Sequence, residues 1–371
     1  MKKIFLSILI FFCIISLTAC QNNYKQYQQI YTTLGFNTQF QLIAYTKSQS
    51  EFDKYSEKLK KLFIHYHQLF STFDNYDGIN NIKTINDKAG KEKVKVDPEI
   101  IELLLLAKEA YEFTNHKFDI TIGNTLSIWH KYREEGIALN QQNMPGKVPS
   151  ETELKESKKH HGWQHIQIDE NENTVYIDDQ NISLDVGGIA KGFATEKVAL
   201  ELEKMGLEYG LISAGGNVRT INTKPENKPW VVGIEEPSLV SNKSLFAYQY
   251  PGTISFVTSG DYQRFYQDEN NKIYHHLIDP DTNYPAYNYR FVNIMIKDSA
   301  WADIASTALF LSSIEEGNQL VEKLRNKFND NNIGVTWCID SSNQYYNDNR
   351  FQVLDTKYKI MTTDNMNQYI K

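Results

Sequence analysis

Asp303 and Thr307 stand four residues apart in Ala302-Asp-Ile-Ala-Ser-Thr307. In a helix that spacing puts a carboxylate and a hydroxyl on one face. Oxygen ligands of this kind suit Mg²⁺ better than zinc. The same pair also fits a purely helical role, with the acid favouring the dipole and the threonine bonding back one turn. A second segment, Asp185-Val-Gly-Gly-Ile-Ala-Lys191-Gly192, reads as the end of a strand and the start of a helix. Free N–H groups and a positive dipole end at such a junction suit phosphate oxygens. Gly187 and Gly188 permit close backbone approach and expose carbonyls, and Lys191 adds a mobile cation. The spacing is neither that of a Walker A loop nor of the Rossmann fingerprint. A tight strand–helix turn with a capping acid would use the same residues.

Three more small-residue segments accompany these: Ser213-Ala-Gly-Gly-Asn217, Thr258-Ser-Gly-Asp261-Tyr262 and His276-Leu-Ile-Asp279-Pro280. Five such segments suggest a large phosphorylated ligand. Phe118-Asp119-Ile120-Thr-Ile-Gly123 adds a polar pair beside a glycine. His160, His161 and His165 fit no zinc spacing and read as surface and strand residues. His275, on the opposite strand face from His276, is expected to be solvated. Cys338, in an apolar run, reads as a buried thiol.

Periodicity supplies the elements that would position these residues. Apolar steps of three and four predict helices over 51–71 and 97–114. Strands are expected at 38–45, 165–169, 174–177, 182–186 and 211–213. A helix follows from Lys191 to Met205, closed by Gly206. Further strands are expected at 230–234, 254–258, 274–278, 289–296 and 333–339, with helices over 302–311 and 314–328. The polar stretch 133–160 reads as a surface excursion. Helices and strands mix without a βαβ rhythm, so the class is α+β.

The chain has 371 residues and a net charge of −7, without a basic stripe, which excludes nucleic acid as a partner class. It opens with Met1-Lys-Lys3, an apolar run from Ile4 to Leu17, and Thr18-Ala19-Cys20. That pattern is a secretory signal, too short to span a bilayer comfortably as a mature helix. Removing residues 1–19 takes away two lysines and no acid, leaving −9. Residues 21–30, polar and Gln-rich, read as a tether. Cys338 is then the one cysteine of the folded part, so no intramolecular disulfide is available there.

The Leu-Thr-Ala-Cys ending resembles a bacterial lipoprotein signal, which implies that Cys20 is lipidated and becomes the mature N-terminus. The folded part resembles the FAD:protein FMN transferases, the ApbE-like flavin transferase family. The likeness runs in order through Leu34-Gly35, Phe118 to Gly123, Trp163 to Ile177, Asp185 to Gly192, Ser213 to Asn217, Trp230 to Ile234, Thr258 to Tyr262, His276 to Thr282 and Ala302 to Thr307. It implies one large mixed α/β domain over 31–371, after a signal (1–19) and a lipidated tether (20–30).

The resemblance also implies a reaction. FAD binds with Mg²⁺, its pyrophosphate is cleaved, FMN passes to a Thr or Ser hydroxyl of an acceptor protein, and AMP leaves. The implied metal ligands are the Asp303 carboxylate, the Thr307 hydroxyl and the Gly188 carbonyl. The implied FAD contacts are Leu34, Phe73, Phe118, Asp119, Ile120, Asp185, Lys191, and Leu277 or Ile278. His276 is the candidate base or acceptor-orienting group, with Asp279 as its competitor. The expected acceptor is an electron-transfer protein on the same extracytoplasmic membrane face, where the lipid anchor holds the enzyme. An FAD pyrophosphatase giving FMN and AMP, and a non-catalytic flavin-binding lipoprotein, are the alternatives. Asp303 and Thr307 argue against the last, since a binder needs no metal at the pyrophosphate.

Overall fold

The computed structural model describes residues 23–238 and 243–371. The signal (1–19), Cys20 and the first two tether residues lie outside them. The remainder of the expected tether is not a tether. Lys25–Tyr31 is a strand, paired antiparallel with Phe40–Thr46. It is polar because it is an edge strand, open to water along most of its length. That composition hides the period-2 signal, so the domain begins earlier than residue 31.

The helices are α1 (Gln49–Phe70), α2 (Ile82–Asp87), α3 (Pro98–Phe113), α4 (Gly123–Asn140), α5 (Glu151–Lys158), α6 (Ala190–Lys204), α7 (Ser299–Leu311) and α8 (Ile314–Phe328). Ser48 caps α1 by accepting the Glu51 N–H, and Asp97 caps α3 with Pro98 in the first turn. Both α4 and α5 fall within or next to the stretch read as an excursion. Helix α4 escapes a periodicity reading because its buried face is narrow: Gly123, Thr125, Trp129 and Gly136.

Among the described residues, nine strands form one antiparallel sheet. In spatial order they are 25–31, 40–46, 209–214, 217–221, 255–260, 291–296, 334–340, 358–362 and 352–353. Helices α1, α6, α7 and α8 bury their apolar sides in a core that includes Phe40, Phe63, Phe193, Trp301 and Trp337. A separate hairpin, Trp230–Glu235 with Ser244–Tyr250, packs a second core that includes Phe256, Phe291 and Met295 of the sheet. A third, smaller core gathers Trp129, Tyr266 and Tyr274 beneath α4. Residues 182–186 are not a strand. They run as a loop that touches the 120–123 segment, with Asp185 N–H donating to Ile120 O at 2.8 Å.

Helix α7 is the most deeply buried of the helices among the described residues. Of its thirteen residues, Thr307 alone is not buried. Three hydrogen bonds pin it. Asp298 caps it through the Trp301 N–H at 2.9 Å. Ser299 Oγ donates to Asn217 Oδ1 at 2.7 Å, and the hydroxyls of Ser306 and Ser259 meet at 2.9 Å. Two of the five small-residue segments therefore seat this helix on the sheet. The Gly215–Gly216 pair is a hairpin turn with both φ values positive. A Cβ at Gly215 would lie 2.0 Å from Thr38 Oγ1, so glycine is required there for packing.

Candidate active site

Helices α6 and α7 cross at backbone distance. A Cβ at Gly192 would lie 2.4 Å from Ser299 O and 2.5 Å from Asp303 Cβ. Glycine at 192 lets the Asp303 carboxylate reach the open N-terminus of α6, where Oδ2 accepts the Gly192 N–H at 2.8 Å. Lys191 Nζ sits 3.7 Å from the same oxygen and 3.3 Å from Gly187 O. Burial raises the Asp303 carboxyl above the usual range, while Lys191 and the Gly192 N–H pull it back.

One helical turn further along α7, Thr307 opens toward Gly188. A Cβ there would approach Thr307 Oγ1 to 3.6 Å and Phe118 to 3.0 Å. Asp303, Thr307 and the Gly188 backbone are thus brought together from segments more than a hundred residues apart. A buried carboxylate, a hydroxyl and a peptide unit form a hard, all-oxygen donor set that fits Mg²⁺. The Gly187 N–H donates to Asp185 Oδ1 at 2.8 Å, so Asp185 shapes the turn that presents Gly188.

The remaining candidates fall into two groups. Asp119 and Asp185 line the same rim, joined through the Ile120–Asp185 backbone bond. Asp119 accepts the Thr121 N–H at 2.8 Å, and burial raises its carboxyl. Phe73 is 60% exposed, with its ring 5.2 Å from that of His130. By contrast, the side chains of Leu34, Phe118, Ile120, Leu277 and Ile278 are buried in the hydrophobic cores. Leu34, Leu277 and Ile278 pack on protein, and the main chain is what those positions offer a ligand.

His276 is half-buried and its Nδ1 has no protein partner. Burial holds this imidazole well below its usual value, with the positive charges of Arg264, Arg133 and Lys191 acting in the same direction. His275 is not solvated. It is 2% exposed, close to Ala286 O at Nε2 (2.6 Å), and accepts the Leu277 N–H at Nδ1 (3.2 Å). The strand 273–275 ends there, so simple alternation does not carry through to 276–278. Asp279 accepts the Asp281 N–H at 3.0 Å and pairs with Lys117 at 3.4 Å. Its carboxylate thereby fixes the 279–283 turn. The clustered histidines do find acids: His160 meets Asp179 at 2.6 Å and His165 meets Asp178 at 2.7 Å.

Three residues of this region escape a sequence reading: His130 and Arg133 on α4, and Arg264. His130 and Arg133 are three apart, hence on one helical face, but nothing in sequence says which way α4 points.

The pattern that defines the ApbE family matches residues 36–329. The chain belongs to the ApbE family. It is 24% identical over 348 residues to the FAD:protein FMN transferase of Haemophilus influenzae, covering 93% of this chain and 95% of that one. The enzyme of the same name from Klebsiella pneumoniae is 28% identical over 286 residues, covering 76% and 83%. Among solved structures, the ApbE protein of Thermotoga maritima superposes with a TM-score of 0.70 at 28% identity, covering 84% of this chain and 94% of that one. The flavin transferase ApbE of Vibrio cholerae shares the fold at TM-score 0.70 and 21% identity, over 93% and 99% of the two chains. The expected ApbE-type mixed α/β domain is therefore the observed one.

Proposed function

We propose that this ApbE-family protein transfers FMN from FAD to a Thr or Ser hydroxyl of an acceptor protein, with Mg²⁺ and with release of AMP. The observation that carries this reading is the meeting of Gly188, Lys191 and Gly192 with Asp303 and with Thr307, the one residue of α7 that is not buried. The names of the Haemophilus and Klebsiella relatives support the substrate and reaction class.

Asp303, Thr307 and Gly188 would hold the metal, which when bound would neutralise charge on the pyrophosphate and polarise it for attack. Lys191 contributes a cation at the same edge. The N-terminus of α6 directs its dipole toward the phosphates. Phe73 offers an exposed ring for stacking on a flavin or adenine face. His276, neutral and with a buried Nδ1 that has no protein partner, would receive or orient the acceptor hydroxyl proton. Burial first, and then the neighbouring cations, make it a weak base in the free protein, and phosphate binding would offset only the cations' share. Asp279 is a positioning residue, because Lys117 and the turn occupy its carboxylate.

No helix among the described residues is long and apolar enough to cross a membrane. The Leu-Thr-Ala-Cys20 ending supports attachment through a lipid on Cys20, facing the extracytoplasmic side. The acceptor proposed is an electron-transfer protein at that membrane face. The test is the intact mass of a candidate acceptor after incubation with the chain, FAD and Mg²⁺. A mass gain of one FMN with one AMP released is expected. AMP release that ignores the acceptor would favour hydrolysis, and bound FAD without AMP would favour a binding protein.

A further inference from the structure

The end of α4 is locked to the short strand Phe265–Gln267. Asn140 donates to Gln267 O at 3.0 Å and accepts the Gln267 N–H at 2.7 Å. One turn earlier, a Cβ at Gly136 would lie 2.4 Å from the Tyr266 ring. The two segments run in the same direction, and one turn back from Gly136 the Arg133 guanidinium is close enough to Arg264 for the two positive charges to repel. Among the described residues, no carboxylate oxygen lies within 4.0 Å of either guanidinium. Arg133 is half-buried, and its Nη2 is 2.7 Å from His130 Nδ1. A guanidinium only donates, so His130 accepts at Nδ1 and carries its proton on Nε2. That imidazole pairs in turn with the exposed Phe73 ring. Both arginines act on His276, and Arg264 also acts on Asp303.

Two like charges held together cost stability, more so when one is drawn out of water, and Glu134 and Asp185 offset part of that cost at Arg133 without forming an ion pair with it. Guanidinium forks match phosphate oxygens in geometry and charge. We propose that Arg133 and Arg264 form a second phosphate subsite, which carries one phosphate of the FAD diphosphate opposite the end held by Lys191, Asp303 and Thr307. This rests on the flavin transferase reading of the site.

The test is a set of binding titrations on the full chain and on Arg133→Gln, Arg264→Gln and the double variant, with FAD, AMP, FMN and riboflavin. Each substitution is expected to weaken FAD at least tenfold and to leave riboflavin, which has no phosphate, unchanged. The Arg→Lys variants should recover part of the loss. AMP or FMN will lose affinity according to which phosphate the pair holds. Arg264 is exposed, so its variant folds independently of any effect at Arg133, and thermal melts check both. Equal losses for FAD and riboflavin would make the arginines structural and overturn the subsite. A double variant that binds FAD as tightly as its parent would overturn it alone. A parent that binds no FAD would overturn the transferase reading and the subsite with it.

Discussion

The backbone N–H of Gly192 donates to Asp303 Oδ2 across 2.8 Å, although 111 residues separate them in sequence. One contact thus joins the N-terminus of α6 to the middle of α7. It orients one oxygen of the carboxylate by a peptide group and sets the position of the other.

Gly192→Ala should therefore damage both fold and site. The new methyl group would meet Ser299 O at 2.4 Å and Asp303 Cβ at 2.5 Å, and both belong to a helix with no room to move. A loss of about 1–3 kcal/mol is expected from overpacking. It would appear as a melting temperature lowered by several degrees, together with weaker Mg²⁺ dependence. An unchanged melting curve would contradict the close crossing.

Asp303→Asn separates charge from shape. The amide oxygen can still accept the Gly192 N–H, so the fold should hold. Loss of the hard anionic ligand should cut FMN transfer by at least about 100-fold and raise the Mg²⁺ needed for half-maximal rate. Thr307→Ser should keep most activity and Thr307→Val should not. Rates measured across a Mg²⁺ titration check all three, and parent-like Mg²⁺ dependence in Asp303→Asn would refute the ligand assignment.

Acid should destabilise the protein through its buried neutral histidines. His275 and His161 are lowered by burial from 6.5 to about 4. Between those values the unfolded chain binds more protons than the folded one, so stability rises with pH. Their contribution is complete above about pH 6.5 and is lost as the pH falls toward 4. Thermal melts over this range should show the decline, and His275→Asn should flatten it. Asp261, whose carboxyl burial raises to about 7, acts in the opposite direction over this range, so the deciding comparison is between variants: a His275→Asn profile parallel to that of the parent would show that this imidazole is not held neutral.

Phe73→Ala should separate binding from stability. The ring is 60% exposed, so its removal should cost the fold little. Loss of one stacking partner should weaken FAD by about 1 kcal/mol, roughly fivefold. Fluorescence titration of FAD against the variant reads this directly.

The candidate site was legible in sequence where chemistry and local geometry coincide. Asp303 and Thr307 are spaced for one helical face, and Gly187 to Gly192 open a helix, so both could be read without a fold, although the segment before them is a loop and not the expected strand. Gly192 itself was visible only as part of a motif. Its function lies in the crossing of α6 and α7, a tertiary fact. Arg133, His130 and Arg264 carry no local signal, because α4 hides its buried face behind Gly136 and Thr125. Lys25–Tyr31 looked like a tether since an edge strand borrows half its order from its neighbour. His275 illustrates the limit of alternation: the strand stops at that residue, and the chain turns the ring inward against Ala286.

Helix α7 is buried at every residue but Thr307, and it is gripped by Asn217, Ser259 and the opening of α6. No fragment lacking the sheet could display that threonine beside Gly188. Activity in this chain is consequently a late event of its maturation. A newly made molecule would stay chemically silent toward its nucleotide until the interior has finished assembling.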